Sequence, residues 1–502
     1  MKISNHHWTR IVQERDATLM PFHLFAKAIA GDIKAVMNKN LSPILIYFHP
    51  KGAEFYVDKE NMIEVGKTAY LHNLDLNKYE RSIINLDEEL ESLISLGKKV
   101  LSRIPELNEN QILHYLERLA NGICLVNKWN QYSALSEYGE NNFISGDLGD
   151  VIISRLNERK IKANFLKLLN LLLSPVKDTF LHQEKVDLLR IALLAKNETN
   201  GLASEKVKKE IIKHQSKYLW LDFGYVGPVH DFTYYQNEIE KLIDLELLEE
   251  EYVNKKTELK ELALKQEEYE TLLELSDQEK RRFFLARDLG FYKVYRKEVT
   301  YFAMYVIDEL NKKLAEYWEV DHKLFRFVLP KECDKEHLQL LYEQRKEECI
   351  YLVNEGEEEV LSGGQIKEIM VQVKKDESSE PELTKKQYTG RPAYVHKEKI
   401  RGRVKIVNGA NHVNKVEQGD ILVSFATNPQ MIVAMGKAAA IVTEQGGITC
   451  HAAIVAREMK KPCLVGVNKI TQRLKDGDLV EVDTMNGILN LLDEENNNEM
   501  PR

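Results

Sequence analysis

Thr443-Glu444-Gln445-Gly446-Gly447-Ile448-Thr449-Cys450-His451-Ala452-Ala453-Ile454-Val455-Ala456-Arg457 is the stretch that decides how the C-terminal part of this chain folds. The apolar run just before it, residues 438–442, reads as a short buried strand. Gly446-Gly447 breaks that strand, Thr449 can cap the next segment, and residues 452–460 contain no Pro or Gly and predict a helix. His451 then falls in the first turn of a helix at a strand–loop–helix junction. Unsatisfied backbone N–H groups and the positive end of the helix dipole gather there and favour an anion. A neutral imidazole is also a competent nucleophile. A lone histidine in this position is ordinarily a cap or a packed surface residue; local physics admits that reading and a phosphoryl-carrying histidine alike.

Working outward, short strands and helices alternate around the stretch. Residues 420–425 predict a buried strand, and Asn428-Pro429 starts a helix leading into residues 431–437. A strand at 462–465 comes after the histidine helix. Asp476-Gly477-Asp478 turns into a strand at 479–482, and Asn486-Gly487 into one at 488–491. Together these predict a compact α/β domain over 392–492, with 493–502 a disordered tail. Ahead of it, Lys374-Lys375-Asp376-Glu377-Ser378-Ser379-Glu380-Pro381-Glu382 has too little apolar surface to offset ordering. Residues 374–391 are therefore expected to be a flexible linker.

The pattern T-x-x-G-G-x-T-[ST]-H-A-A-[IV]-x-A-R is met at Thr443, Gly446, Gly447, Thr449, His451, Ala452, Ala453, Ile454, Ala456 and Arg457. It resembles the phosphohistidine signature of the phosphoenolpyruvate-utilising enzymes: phosphoenolpyruvate synthase, pyruvate phosphate dikinase and rifampicin phosphotransferase. The resemblance extends over the whole small domain, through Gly419-Asp420-Ile421-Leu422-Val423 and the Asp476 turn. It continues more weakly upstream, where Phe325-Arg326-Phe327-Val328-Leu329-Pro330-Lys331-Glu332 is similar to a short strand and turn of the family, and Arg345-Lys346-Glu347 fits the helix after it. The resemblance implies a swivelling domain in which His451 carries a phosphoryl group between two sites. Thr449 would donate a hydrogen bond and Arg457 would organise charge. Gly446, Gly447 and Cys450 would form the phosphate-binding loop. Cys450 departs from the family's hydroxyl residue, and a thiol is the weaker donor.

The rest of the chain reads as mainly helical, giving an α+β multidomain fold. Residues 1–85 form a mixed α/β segment with a strand at 43–48 and its hairpin partner at 54–57. No GxxxxGK[ST] and no GxGxxG after a strand occurs in it. His6 and His7 have no carboxylate or cysteine spacing around them and read as a solvated pair. Residues 86–373 predict a helical domain that binds an acceptor or docks a partner. Its charged stretch 236–280 reads as a helical hairpin or one long helix, with a parallel coiled-coil dimer as runner-up. An aromatic interruption at 214–231 contains Trp220 and His230, and the helical run 281–313 contains Arg287 and Arg296. These four residues read either as the wall of an acceptor pocket or as packed aromatics with solvated arginines.

A formal charge of −9 with interleaved signs argues against a nucleic-acid binder. The five cysteines have no CxxC pairing and predict reduced thiols in a cytoplasmic protein without a metal site. The first eight residues contain no apolar leader, so no signal peptide is expected, and no apolar run reaches membrane-spanning length. No ATP-grasp signature precedes residue 392, and with about ten residues after the histidine domain no C-terminal barrel is expected. The expected protein is thus a phosphotransferase component that binds no cofactor itself. ATP and Mg²⁺ are expected on a separate ATP-grasp partner, and a small molecule is the acceptor. The alternative is a regulatory or scaffold protein that keeps the phosphohistidine fold without the chemistry.

Overall fold

The structure is a computed structural model that describes residues 6–14, 17–135, 143–161, 163, 165–224, 227–378, 386–408, 410–427, 431–446 and 450–492. The chain divides into two compact units, Met1–Glu377 and Ser378–Arg502.

The first unit combines an antiparallel sheet with a helical body. Its strands are β1 (Trp8–Glu14), β2 (Ile44–His49), β3 (Gly52–Asp58), β4 (Cys349–Asn354) and β5 (Glu357–Leu361), in the order β1-β3-β2-β4-β5. Its helices are α1 (Leu19–Lys27), α2 (Lys34–Met37), α3 (Lys59–Leu74), α4 (Leu76–Leu101), α5 (Glu109–Leu135), α6 (Phe143–Arg159), α7 (Phe165–Leu173), α8 (Phe180–Asn197), α9 (Glu205–Tyr218), α10 (Phe232–Ile243), α11 (Leu248–Leu272), α12 (Asp277–Trp318), α13 (Leu338–Arg345) and α14 (Gln365–Ser378). Both faces of the sheet are covered. Ile44, Ile46 and Phe48 enter one core with Phe22 of α1, while Leu45 and Tyr56 enter another with Ile366 and Met370 of α14. Burial on both sides explains why β2 is nearly all apolar rather than alternating.

The helical body is built on α12, 42 residues long and opened by a capping box between Ser276 and Glu279. Val299, Ala303, Val306 and Leu310 recur on one helical face and join Leu90, Leu93, Leu119 and Ile123 of α4 and α5 in a single core. Gly97 lets α4 approach closely, because a Cβ there would lie 2.6 Å from the Phe302 ring.

Several expectations from the sequence do not hold. Residues 1–85 are not a segment apart: β2 pairs along its length with β4, from Ile44 opposite Val353 to Phe48 opposite Cys349, and α4 runs through position 85. The β4–β5 hairpin interrupts a stretch expected to be helical, and turns at Glu355-Gly356, both at positive φ (50° and 91°). The strand expected near 325–332 is instead two 3₁₀ turns, His322–Phe327 and Pro330–Glu332. Buried Arg345 ties them, donating to the Phe327 carbonyl at 3.1 Å and to both Glu332 carboxylate oxygens at 2.6 and 2.9 Å. The charged stretch 236–280 resolves into α10, α11 and the start of α12.

Buried His23 on α1 gives a pH prediction. Burial lowers its pKa from 6.5 to about 4, against the opposing pull of Glu358, and its Nδ1 lies 3.3 Å from the Leu19 carbonyl. The folded state holds it neutral while the unfolded chain protonates near the ordinary value. Its stabilisation is therefore complete above pH 6.5 and is lost as pH falls toward 4, by up to about 3 kcal/mol. Urea unfolding at pH 7 and pH 4.5 should show a steeper acid loss for the wild type than for His23→Leu; equal losses would contradict the assignment.

The second unit is an eight-stranded sheet, β6 (Gln387–Thr389), β7 (Arg391–Tyr394), β8 (Ile400–Ile406), β9 (Ile421–Ser424), β10 (Ala440–Thr443), β11 (Cys463–Val465), β12 (Leu479–Asp483) and β13 (Ile488–Leu491), in the order β6-β13-β12-β8-β9-β10-β11-β7. Strands β8 to β11 are parallel, flanked by antiparallel neighbours. Helices α15 (Ile432–Lys437) and α16 (His451–Glu458) cover one face, and α17 (Ile470–Arg473) contributes to the other. The linker expected at 374–391 is ordered at both ends, since α14 continues to Ser378 and β6 starts at Gln387. Residues 379–385 between them, the tail 493–502, and the helix start at Asn428-Pro429 lie outside the described residues.

Candidate phosphoryl-carrier site

The parallel strands β8 to β11 carry their C-terminal ends to one edge of the sheet, where ligands of such sheets gather. β10 ends there at Thr443, and His451 is the first residue of α16 on the return path. The helix lies close on the sheet because its inner residues are small: Ala452, Ala453 and Ala456 are buried against Ile441 of β10 and Cys463 and Val465 of β11. Arg457 stands six positions along α16.

The root of the connecting loop is fastened on several sides. Beyond the strand, the N–H of Glu444 donates to the Ser424 carbonyl at 2.9 Å and that of Gln445 to the Phe425 carbonyl at 2.7 Å. The Val467 N–H donates to the Thr443 carbonyl at 2.9 Å. The buried Glu444 carboxylate accepts from the backbone N–H of Thr471 at 3.2 Å and from its hydroxyl. Gly446 sits at φ +117°, and a Cβ on it would meet Cys450 Sγ at 2.6 Å and Cβ at 2.9 Å. The chain turns there through a conformation L side chains rarely adopt. Cys450 is half-buried, packed on the core under α16. Gly447 and Thr449 lie outside the described residues.

Two further hydroxyls stand at this edge. Ile441 belongs to the core under α16 while Ala440 and Val442 belong to the opposite one, so by strand alternation Thr443 is on the α16 face. Its Oγ1 is buried without a hydrogen-bond partner. Ser424, directly opposite in register, bonds its hydroxyl to the Ala426 carbonyl at 2.8 Å. Thr443 was legible as a motif position, and its place at the carboxyl end of a strand is the signal by which sequence reading could have made it a candidate.

The four candidates for an acceptor pocket are not brought together, and each has a structural partner. Trp220 is buried, donating Nε1–H to the Lys217 carbonyl at 2.9 Å, with its ring edge-on to Phe180. His230 hydrogen-bonds Asp222 at 2.7 Å and stacks on Tyr234. Arg287 donates to Gln266 and Glu270 at 2.6 and 2.7 Å, pinning α12 to α11. Arg296 is buried, bonded to the Asn127 side chain, with its guanidinium 6.0 Å from the Phe25 ring. The two arginines stand nine positions apart on one helix, about 180° around it, so they cannot wall one pocket.

Among the described residues no helix is long and apolar enough to cross a membrane, and no group of three or more His, Cys, Asp or Glu side chains is placed to hold a metal ion.

Residues 416–487 match the family model "PEP-utilising enzyme, mobile domain". Over 88 residues, 18% of this chain, the probable phosphoenolpyruvate synthase of Archaeoglobus fulgidus is 52% identical and the phosphoenolpyruvate synthase of Pyrococcus furiosus 51%. The Escherichia coli phosphoenolpyruvate synthase is 46% identical over 86 residues. The matched stretch spans only 12%, 11% and 11% of those three proteins. A solved structure, holo-form aconitase X of Thermococcus kodakaraensis, aligns over 21% of this chain and 98% of its own at 20% identity and a TM-score of 0.17.

Proposed function

We propose that this chain is a phosphotransfer component in which His451 carries a phosphoryl group to a small-molecule acceptor. The observation that carries this is the position of His451 at the start of α16, on the carboxyl edge of four parallel strands, behind a glycine whose geometry admits no side chain. Helix N–H groups offset the charge of a phosphohistidine, and a phosphoramidate is reactive enough to pass its group on. The donor is phosphoenolpyruvate or an ATP-grasp protein in trans that splits ATP with Mg²⁺. The relatives are named phosphoenolpyruvate synthases, which supports phosphoenolpyruvate as a donor. His451 is the nucleophile. Thr449, Gly446, Gly447 and the hydroxyl of Thr443 receive the phosphate, and Arg457 balances its charge.

The test is to incubate the full chain with ³²P-labelled phosphoenolpyruvate, or with an ATP-grasp protein and β-³²P ATP, and to look for acid-labile, alkali-stable label. No label with either donor overturns the reading. Transport between sites adds a prediction. Deleting residues 379–385, between the end of α14 and the start of β6, should leave loading within about twofold but slow delivery to the acceptor by about tenfold or more. Undiminished delivery, measured by single-turnover chase, would contradict a swinging carrier.

A further inference from the structure

Two clefts of the first unit meet along α5. One, of about 420 Å³, lies between α1, α5 and the 3₁₀ turn Pro330–Glu332; the other, of about 600 Å³, lies between α5 and the turn from α1 into α2. Lys27, Asn121 and Cys124 line both, so the two are lobes of one groove. The lobes differ in chemistry. The first is lined by half-buried Leu113 and Pro330 and by buried Leu116. Burial lowers the pKa of His23 to about 4 and pushes that of Cys124 up to about 12, so neither adds charge there at neutral pH. Its carboxylates are Glu358, which accepts from Tyr351 at 2.9 Å, Lys27 at 3.3 Å and Lys331 at 2.8 Å, and Glu117, exposed on α5.

The second lobe is cationic. Lys27 of α1, Lys34 of α2 and Lys128 of α5 line it against a single carboxylate, Asp32. Lys27 shares Glu358 with Lys331, and Lys34 has exposed Glu355 at 3.9 Å. Lys128 lies over the Trp129 ring at 4.8 Å and has no carboxylate partner among the described residues. Asp32 is half-buried and closes a π turn, Ala28–Asp32, a rare conformation that recurs at functional sites. It makes no hydrogen bond or ion pair among the described residues. Burial raises its pKa against the pull of Lys27 and Lys128, so both ammonium groups act on it across the lobe without pairing. Ammonium groups gathered on a concave surface reinforce one another's field and attract an anion.

We infer that this groove binds a phosphate monoester with an apolar body, the phosphate among Lys27, Lys34 and Lys128 and the body on Leu113, Leu116 and Pro330. Point charges arriving from three helices suit a tetrahedral phosphate. A carboxylate is better served by a planar guanidinium fork, and among the described residues no arginine lines either lobe. Asp32 opposes the phosphate and holds the affinity down. The binding does not rest on the carrier role of His451.

Calorimetric titration of the full chain with phenyl phosphate, inorganic phosphate, benzoate and benzyl alcohol tests this. Phenyl phosphate should bind one-to-one. Phosphate, which lacks the body, and benzoate, which lacks the dianion, should bind about tenfold more weakly or less, and benzyl alcohol not at all. Lys128→Gln should weaken phenyl phosphate binding by about fivefold or more, and Asp32→Asn should tighten it by about threefold or more. A merely structural role for Asp32 would not tighten it. His451→Ala should bind phenyl phosphate as the wild type does, and that result together with failed loading leaves the groove standing without the carrier. Binding lost in His451→Ala would place the ligand at the histidine instead and overturn the inference. So would no binding of phenyl phosphate at millimolar concentration, benzoate bound as tightly, unchanged binding in Lys128→Gln, or weaker binding in Asp32→Asn.

Discussion

His451→Ala should accept no acid-labile label from either donor, a loss of at least about a thousandfold relative to the wild type. The size comes from chemistry: the imidazole at position 451 is the proposed nucleophile, and alanine offers nothing to attack phosphorus. The fold should be unaffected. Position 451 opens a helix whose hold on the sheet comes from Ala452, Ala453, Val455 and Ala456. Alanine is also the better helix former. Circular dichroism and the thermal midpoint should therefore match the wild type. Label retained by the variant would move the carrier elsewhere in the chain.

The second large effect is expected at Gly446. A valine there would have to adopt φ +117° and place its Cβ 2.6 Å from Cys450 Sγ. Backbone strain of this kind costs about 1–3 kcal/mol. Because Cys450 precedes His451 directly, relief by moving the loop displaces the start of α16. Gly446→Val should lower the rate of loading by about tenfold to a thousandfold, since even a misplacement of about 1 Å in a reacting group costs on the order of a hundredfold. The rest of the domain should stay folded, because the Glu444–Thr471 and Glu444–Ser424 bonds hold the loop's root. Rapid-quench measurement of loading, with Gly446→Ala as the milder member of the series, checks the order Gly above Ala above Val. Equal rates would show that the tight turn has no part in presenting the histidine.

Sequence and structure agree best where local signals and packing coincide. The strands at β9, β10, β11, β12 and β13 were legible because each is a short apolar run closed by turn residues, such as Asp476-Gly477-Asp478 and Asn486-Gly487. The position of His451 at a helix start was legible for the same reason. The first unit was harder to read. β4 pairs with β2 from far along the chain, and Cys349-Ile350-Tyr351-Leu352-Val353, buried on both faces, shows no alternation to separate it from helix. The Glu355-Gly356 turn was the missed clue. Arg287 and Arg296 read from the sequence as phosphate binders, yet Arg287 is taken up by Gln266 and Glu270 of α11 and Arg296 by Asn127, 169 positions away.

The most direct measurement of the central claim is peptide mapping of the loaded wild-type chain. After incubation with donor, digestion at alkaline pH and electron-transfer fragmentation should find one phosphoryl mass increment, on the peptide containing 451, with fragments placing it on His451. An increment on any other residue, or none under conditions where the donor is consumed, would contradict the account.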